Sequence, residues 1–257
     1  MKFLIQKIDK ELRHDFTFTL MESIRYQQWY HKSKDVIKYK FFNTKSDENT
    51  FIFNDAHKKY VPVGSVEFVT SFLEQFYGVV PKPLNVPEEL FHYAGRKIYN
   101  GTEKDLPRNG YWIAKSNNKI NEYISLLNCN TKDDFIYIPA NNYQFSESIR
   151  IDSQRRCFIY NGKLVGIQHY LGDFKIFPNI MAIEAMIIDF KSAPIAYTLD
   201  VGINKNTNTV FLVEAHDFFS CGLYGFADHR IYPQMLYRWF REYTNNSEKE
   251  SQHGFKK

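Results

Sequence analysis

Residues 196–226, AYTLDVGINKNTNTVFLVEAHDFFSCGLYGF, constrain the fold more than any other stretch of the chain. Two β-rich runs, roughly 195–203 and 209–217, flank the polar stretch Asn204–Asn208, which predicts a hairpin. If Ile203 pairs with Thr209, Asp200 lies opposite Leu212. Side chains alternate along a strand, so Asp200, Leu212, Glu214 and His216 then share one face. Phe211, Val213 and Ala215 take the other. Apolar residues on both faces predict a buried strand. Carboxylates there require compensation, because an isolated charge is costly in a dry environment. Two partners would serve. One is a divalent cation, magnesium being suited to hard carboxylate oxygens. The other is a core lysine or arginine. The pattern alone leaves both open, and a one-residue slip would send Asp200 to the opposite face from Glu214.

The chain is long enough, at 257 residues, for one large or two small domains, and with 44% apolar residues it can bury a sizeable core. Its net charge is only +4 and its basic residues are spread along the sequence, so no basic stripe marks a dedicated nucleic-acid binder. Cys129, Cys157 and Cys221 are far apart and form no CxxC pair, which points to a reducing compartment and a cytoplasmic location. The start, MKFLIQKIDK, is too charged for a signal peptide, and no apolar run is long enough to span a membrane.

Taken in order, residues 1–6 read as a strand, 8–50 give no clear assignment, and Phe51–Phe53 reads as a short strand. Tyr60–Val63 reads as a strand, Gly64 as a turn and Ser65 as a helix N-cap. Val69, Phe72, Leu73 and Phe76 follow at helical spacing before Gly78, a C-cap. This strand–Gly–Ser–helix turn resembles a phosphate-binding turn, but with a single glycine an ordinary capped helix is the better reading. PKPLNVPEEL reads as a linker closing a first unit near residue 95. Tyr111–Lys115 is a strand ending in lysine, which either meets a phosphate or is simply solvated. Residues 135–139 and 143–149 read as strands. RRCFIYNGKLVGIQHY is a hairpin about Asn161-Gly162. Arg156, set among apolar neighbours there, grips either a phosphate or a carboxylate across the sheet. Pro178 precedes a helix over 179–191 with Met181, Ala185 and Ile188 on one stripe. Pro233 opens a last helix with Met235, Trp239 and Tyr243 on another, and from Thr244 the tail is polar and reads as flexible.

YVPVGSVEFV, YWIAKS, RRCFIYNGKLVGI, AYTLDVGI, VFLVEAHDFFSCGLYGF and PQMLYRWF, in this order and spacing, resemble the ATP-grasp superfamily, in particular a compact clade found in phages and bacteria. The resemblance covers about residues 60–243. It implies an α+β fold with two α+β subdomains gripping ATP (residues 96–243). A small α/β N-terminal domain (1–95) would precede it and border the acceptor site, and a flexible polar tail (244–257) would follow. It implies an ADP-forming ligase that joins a carboxylic acid to an amine through an acyl-phosphate. The substrate would be an amino acid or peptide, such as a protein terminus, in the host cytoplasm if phage-encoded. Carried over by position, Lys115 is a phosphate-contacting lysine and Arg156 the arginine of an E-x-R pattern. Tyr143–Ile149 becomes the strand that reads adenine, with Glu147 beside the nucleoside. Asp200 and Glu214 become the magnesium-binding carboxylates, and His216 stands where an asparagine is usual.

Three departures stand out. The E-x-R pattern reads Gln154-Arg155-Arg156, His216 binds metal only when neutral, and the phosphate lid SNNKINEY lacks glycine, leaving Lys119 to serve there. A degenerate relative that binds nucleotide or a protein partner without turnover is the alternative. A nucleic-acid-binding module stacking bases on Tyr and Phe is a weaker one, since basic and aromatic residues do not cluster along the sequence.

Overall fold

The computed structural model describes the chain apart from residues 49, 103–104, 106–108, 121, 129–141 and 255–257. The strand expected at 135–139 and Cys129 lie outside the described residues. Contacts divide the chain into two compact units. The first is Met1–Pro81 with Pro194–Ala196 and Asp217–Lys257; the second is Lys82–Ala193 with Tyr197–His216.

The first unit holds a parallel three-stranded sheet. Strand β1 (Lys2–Ile8) lies between β2 (Lys38–Thr44) and β3 (Val61–Val63), with Ile5 opposite both Phe41 and Val63. Phe3, Leu4 and Ile5 are all fully buried, as a strand paired on both edges requires. Helix α1 (Asp15–Tyr30) connects β1 to β2. Residues 8–50 conceal it in sequence because its N-cap, His14, makes no side-chain cap bond, and its interior mixes Thr, Phe and Tyr with the better helix formers. Helix α2 (Val66–Tyr77) forms where expected: Ser65 Oγ accepts from Phe68 N at 3.2 Å and Gly78 ends it in the left-handed region. Phe51–Phe53 is not a strand; its phenylalanines are buried beside Phe68.

Met235 and Trp239 are buried on the last helix, α4 (Tyr232–Gly254), as their stripe predicts. The helix does not stop at Tyr243. Thr244 is buried, its hydroxyl donating to the Phe240 carbonyl, and the helical backbone continues to Gly254. The flexible tail expected from Thr244 is therefore helical over most of its length.

The second unit carries two four-stranded sheets, an antiparallel one in the order β4-β7-β5-β6 and another in the order β11-β10-β8-β9. The first contains β4 (Ile98–Gly101), β5 (Tyr111–Ser116), β6 (Tyr123–Asn128) and β7 (Tyr143–Glu147). The second contains β8 (Ser153–Tyr160), β9 (Lys163–Gly172), β10 (Ala196–Asn204) and β11 (Thr209–Asp217). The β8–β9 hairpin turns at Asn161 (φ 51°) and Gly162 (φ 68°), the two positive values a tight primed turn needs. Strands β10 and β11 are neighbours in their sheet, as the opening hairpin predicts. Helix α3 (Ile180–Asp189) is capped by Asn179, whose Oδ1 accepts from Met181 N. It turns Ile183 and Met186 into the core against Tyr197, Leu199 and Val201. The stripe expected to be apolar and packed is instead open: Met181 and Ile188 are 76% and 65% exposed.

PKPLNVPEEL is not a free linker. Asn85, at φ 49°, accepts from Ala215 N through its carbonyl and donates its side-chain amide to Ser116 O and Asn117 Oδ1. Gln144 on β7 closes a pair with Val86, accepting from its N–H at 2.9 Å and donating to its carbonyl at 2.8 Å. These bonds set residues 82–95, expected with the N-terminal domain, into the second unit. Replacing Gln144 by Met keeps its length but strands two buried backbone groups, at a cost of about 1–3 kcal/mol. Urea unfolding should show the lower midpoint with an unchanged slope; an unchanged midpoint would mean this pair contributes nothing.

Candidate functional site

Charge gathers in the second unit where four strands contribute side chains. Arg156 on β8 donates from Nε to Asp200 Oδ1 at 2.7 Å and from Nη2 to Asp200 Oδ2 at 2.8 Å. Both residues are buried, and the two-armed geometry is the strong form of such a pair. Lys115, at the end of β5, donates from Nζ to Glu214 Oε2 on β11. His216 Nε2 lies 3.5 Å from Asp200 Oδ2 and 3.4 Å from Glu214 Oε1, yet this buried nitrogen meets no hydrogen-bond geometry.

The electrostatics follow. Burial alone would raise the Glu214 and Asp200 carboxyls. His216 and Lys115 outweigh it at Glu214, and Arg156 and His216 at Asp200, so both are held below the ordinary carboxylate range. Burial would lower the His216 imidazole, but the two carboxylates reverse this and push it up to about 9. Near neutral pH the ion-free cluster therefore carries two negative and three positive charges, with the imidazolium between the carboxylates.

Asp200, Glu214 and His216 offer ligand atoms all within 4.8 Å of one another. Two hard carboxylate oxygens and an imidazole nitrogen left without a hydrogen bond are a donor set that fits a divalent cation. The residues fit the magnesium that the family resemblance implies, and Asp200, Glu214 and His216 would hold it.

Both readings of the buried carboxylates thus have their residues present: basic partners, and a set of ligand atoms. The faces of β11 differ from the expected alternation. Leu212 joins the core cluster with Tyr197, Leu199 and Val201, whereas Phe211 packs its ring against Gly202, two residues from Asp200. Phe211 and Glu214, an odd number of residues apart, both lie on the Asp200 side, so the period of two breaks between Leu212 and Glu214. Arg96 marks the break. Its guanidinium donates to the consecutive carbonyls of Leu212 (2.6 Å) and Val213 (2.8 Å), to Ala94 O (2.9 Å) and, from Nε, to Ser146 Oγ (2.6 Å). Burial lowers it to about 10, against the pull of Glu214, which leaves it charged at neutral pH. The sequence reading passed over Arg96. Its only signal is a basic residue just before an apolar strand, in AGRKIYN.

Arg96, Lys115, Gln144, Glu147 and Glu214 line one cleft with Ser148, Ile149 and Ile151. Glu147 ends β7 there, accepting from Lys97 N through Oε2. Lys119 sits in the exposed turn after β5 and makes no ion pair among the described residues. Gln154 and Arg155 part company. Gln154 accepts from Tyr170 OH at 2.7 Å on the Asp200 side. Arg155 donates to the carbonyls of Phe174 and Ile176 and lies 4.7 Å from the Phe177 ring. Cys157 and Cys221 are buried, and burial pushes the Cys157 thiol far up, away from a reactive thiolate.

The raised His216 makes a stability prediction. A folded-state value above the unfolded value of about 6.5 contributes stability that is complete below that pH and lost as pH rises through about 9. Chelator-treated protein should therefore lose melting temperature between pH 6.5 and 9.5, and His216→Asn should flatten that loss. Added Mg2+ should release a proton over the same range, since a ligating imidazole must be neutral. Parallel melting curves for the two proteins would mean that His216 carries no proton in the cluster.

Comparison with known proteins agrees with this architecture. The profile of the ATP-grasp domain, R2K clade family 2, matches residues 93–234. No curated protein matches the sequence. Among solved structures, D-alanine–D-alanine ligase from Bacillus anthracis is similar with a TM-score of 0.53 at 12% identity, over 97% of this chain and 99% of that one. The ATP-grasp ligase PsnB, solved with its minimal precursor, has a TM-score of 0.53 at 10% identity, over 93% of this chain and all of that one. At such identities the likeness is one of fold. With more than half its length matched by the family profile, the chain belongs to the R2K clade, family 2, of the ATP-grasp domains.

Proposed function

We propose that this protein is an ATP-dependent carboxylate–amine ligase that forms an amide bond through an acyl-phosphate and releases ADP. The meeting of Asp200, Glu214, Arg156 and Lys115 in one cluster of an ATP-grasp fold, with Lys115 and Glu214 on the cleft, carries the reading. A carboxylate is a poor acyl donor because oxide is a poor leaving group. Attack of its oxygen on the γ-phosphorus of ATP releases ADP and makes phosphate the leaving group. An amine then attacks the acyl carbon, phosphate departs and the ammonium gives up a proton. Phosphoryl transfer needs positive charge around the migrating group and little else from the protein. Lys115 and Arg156 supply fixed charge, and Asp200, Glu214 and His216 would hold magnesium. When bound, that ion would neutralise charge developing on the β- and γ-phosphates. Arg96 adds positive charge to the cleft wall, and the backbone of 148–151 with Glu147 is a suitable edge for adenine. Lys119, in the exposed turn, is a candidate for closing over the phosphates.

An amino-acid or peptide substrate is supported by what the similar structures are: one a D-alanine–D-alanine ligase, the other bound to its minimal precursor. No helix among the described residues is long and apolar enough to cross a membrane, so nothing there argues for a membrane-bound substrate. The alternative is a nucleotide-binding relative without turnover. The observation favouring it is that both carboxylates already have basic partners, beside a glutamine and a histidine where the family pattern has Glu and Asn.

Hydroxylamine trapping separates the two. Purified protein with ATP, Mg2+ and a pool of amino acids and peptides should give a hydroxamate with an equal amount of ADP and no AMP. Asp200→Asn and Glu214→Gln, which keep shape but remove charge, should each lower kcat at least about 100-fold while the protein stays folded. Stoichiometric AMP would contradict the acyl-phosphate route, and ATP-dependent stabilisation without any product would favour the non-catalytic reading.

A further inference from the structure

Strand β9 departs from its ladder at two residues, Val165 and Tyr170, and the second lies beside Asp200. Gln154 pairs with Leu171 and Arg155 with His169, so the register passes over Tyr170. A bulged residue of this kind is re-aimed relative to its neighbours, and bulges gather beside active sites for that reason. Here it brings the Tyr170 hydroxyl to 2.7 Å from Gln154 Oε1 and 3.3 Å from Asp200 Oδ2, with the Arg156 guanidinium 5.9 Å from its ring centre.

The hydroxyl lies within donating distance of two oxygens, Gln154 Oε1 and Asp200 Oδ2, neither of which can donate in return. Its proton, shared between them, reaches Asp200 Oδ2, the carboxylate oxygen that also takes Arg156 Nη2 and faces His216. Gln154 stands where the family pattern carries a glutamate. A glutamate there would add a third carboxylate beside Asp200 and Glu214. A neutral amide anchors the tyrosine without that repulsion.

We propose that Tyr170 is a positioning residue of the metal face: fixed by Gln154, its hydroxyl braces Asp200 in the orientation that Arg156 and a divalent cation share. The proposal rests on the metal reading given under Proposed function. Groups that orient a metal ligand in this way change affinity for the ion without touching it.

The test is Mn2+ titration followed by electron paramagnetic resonance, with ADP present and no turnover required. It compares wild type, Tyr170→Phe, and the double variant Gln154→Leu with Tyr170→Phe. Tyr170→Phe should weaken Mn2+ binding about tenfold while ADP affinity at saturating Mn2+ stays within about twofold. The double variant should remain equally weak. It removes both polar partners, so it leaves no buried amide stranded and carries the comparison if the single variant melts too low. Wild-type Mn2+ affinity in Tyr170→Phe would overturn the proposal. So would recovery in the double variant, which would mean that Tyr170 only satisfies Gln154. A wild-type protein that takes up no Mn2+ would instead overturn the metal reading itself.

Discussion

Asp200 is 1% exposed in the middle of a strand whose residues are buried almost throughout, and a bare carboxylate is not tolerated there. Much of the second unit answers that constraint. Arg156 faces it with both arms, His216 approaches from the neighbouring strand, and Tyr170 leaves its ladder to reach it. Glu214, the second carboxylate, draws Lys115 from the other sheet. Removing any one partner would strand a buried charge, which costs far more than the pair contributes while intact. The cluster therefore keeps each buried carboxylate paired with basic groups when no ion is present, and the same carboxylates are the groups an incoming cation would engage.

That tension between pairing and ligation links structure to activity. Asp200 and Glu214 would hold a cation in competition with the His216 proton while still facing Arg156 and Lys115. The two basic residues are then positioned beside whatever anion the ion brings with it. This is the arrangement phosphoryl transfer requires, with positive charge on several sides and no covalent role for the protein. Arg96 holds the irregular stretch of β11 through two successive carbonyls, and so decides where Glu214 lies.

Local chemistry was the legible part of the sequence. Asn161-Gly162 fixed its hairpin because a two-residue primed turn needs positive φ, and Ser65 and Gly78 bracketed α2 through their caps. Lys115, Arg156, Asp200, Glu214 and His216 were legible as a set, and they do meet. What stayed hidden depends on tertiary partners. Helix α1 lacks a side-chain cap. Asn85 and Val86 look like linker because Ala215 and Gln144, the residues that hold them, lie far away in sequence. The alternation along β11 fails because the strand is irregular, and a period of two carries no sign of that. Tyr170 was invisible for the same reason: only the skipped pairing on β9 turns it toward Asp200. Arg96 offers sequence reasoning no more than a lone basic residue.

The central claim is that Asp200 and Glu214 form one metal site facing a nucleotide in the cleft beside Lys115 and Arg96. Anomalous diffraction from crystals grown with Mn2+ and ADP tests it most directly. The account predicts a manganese peak within coordination distance, about 2.0–2.2 Å, of oxygens from both Asp200 and Glu214, with ADP phosphates as further ligands. A nucleotide bound in the cleft with no ion at these carboxylates, the Arg156–Asp200 and Lys115–Glu214 pairs intact, would contradict it.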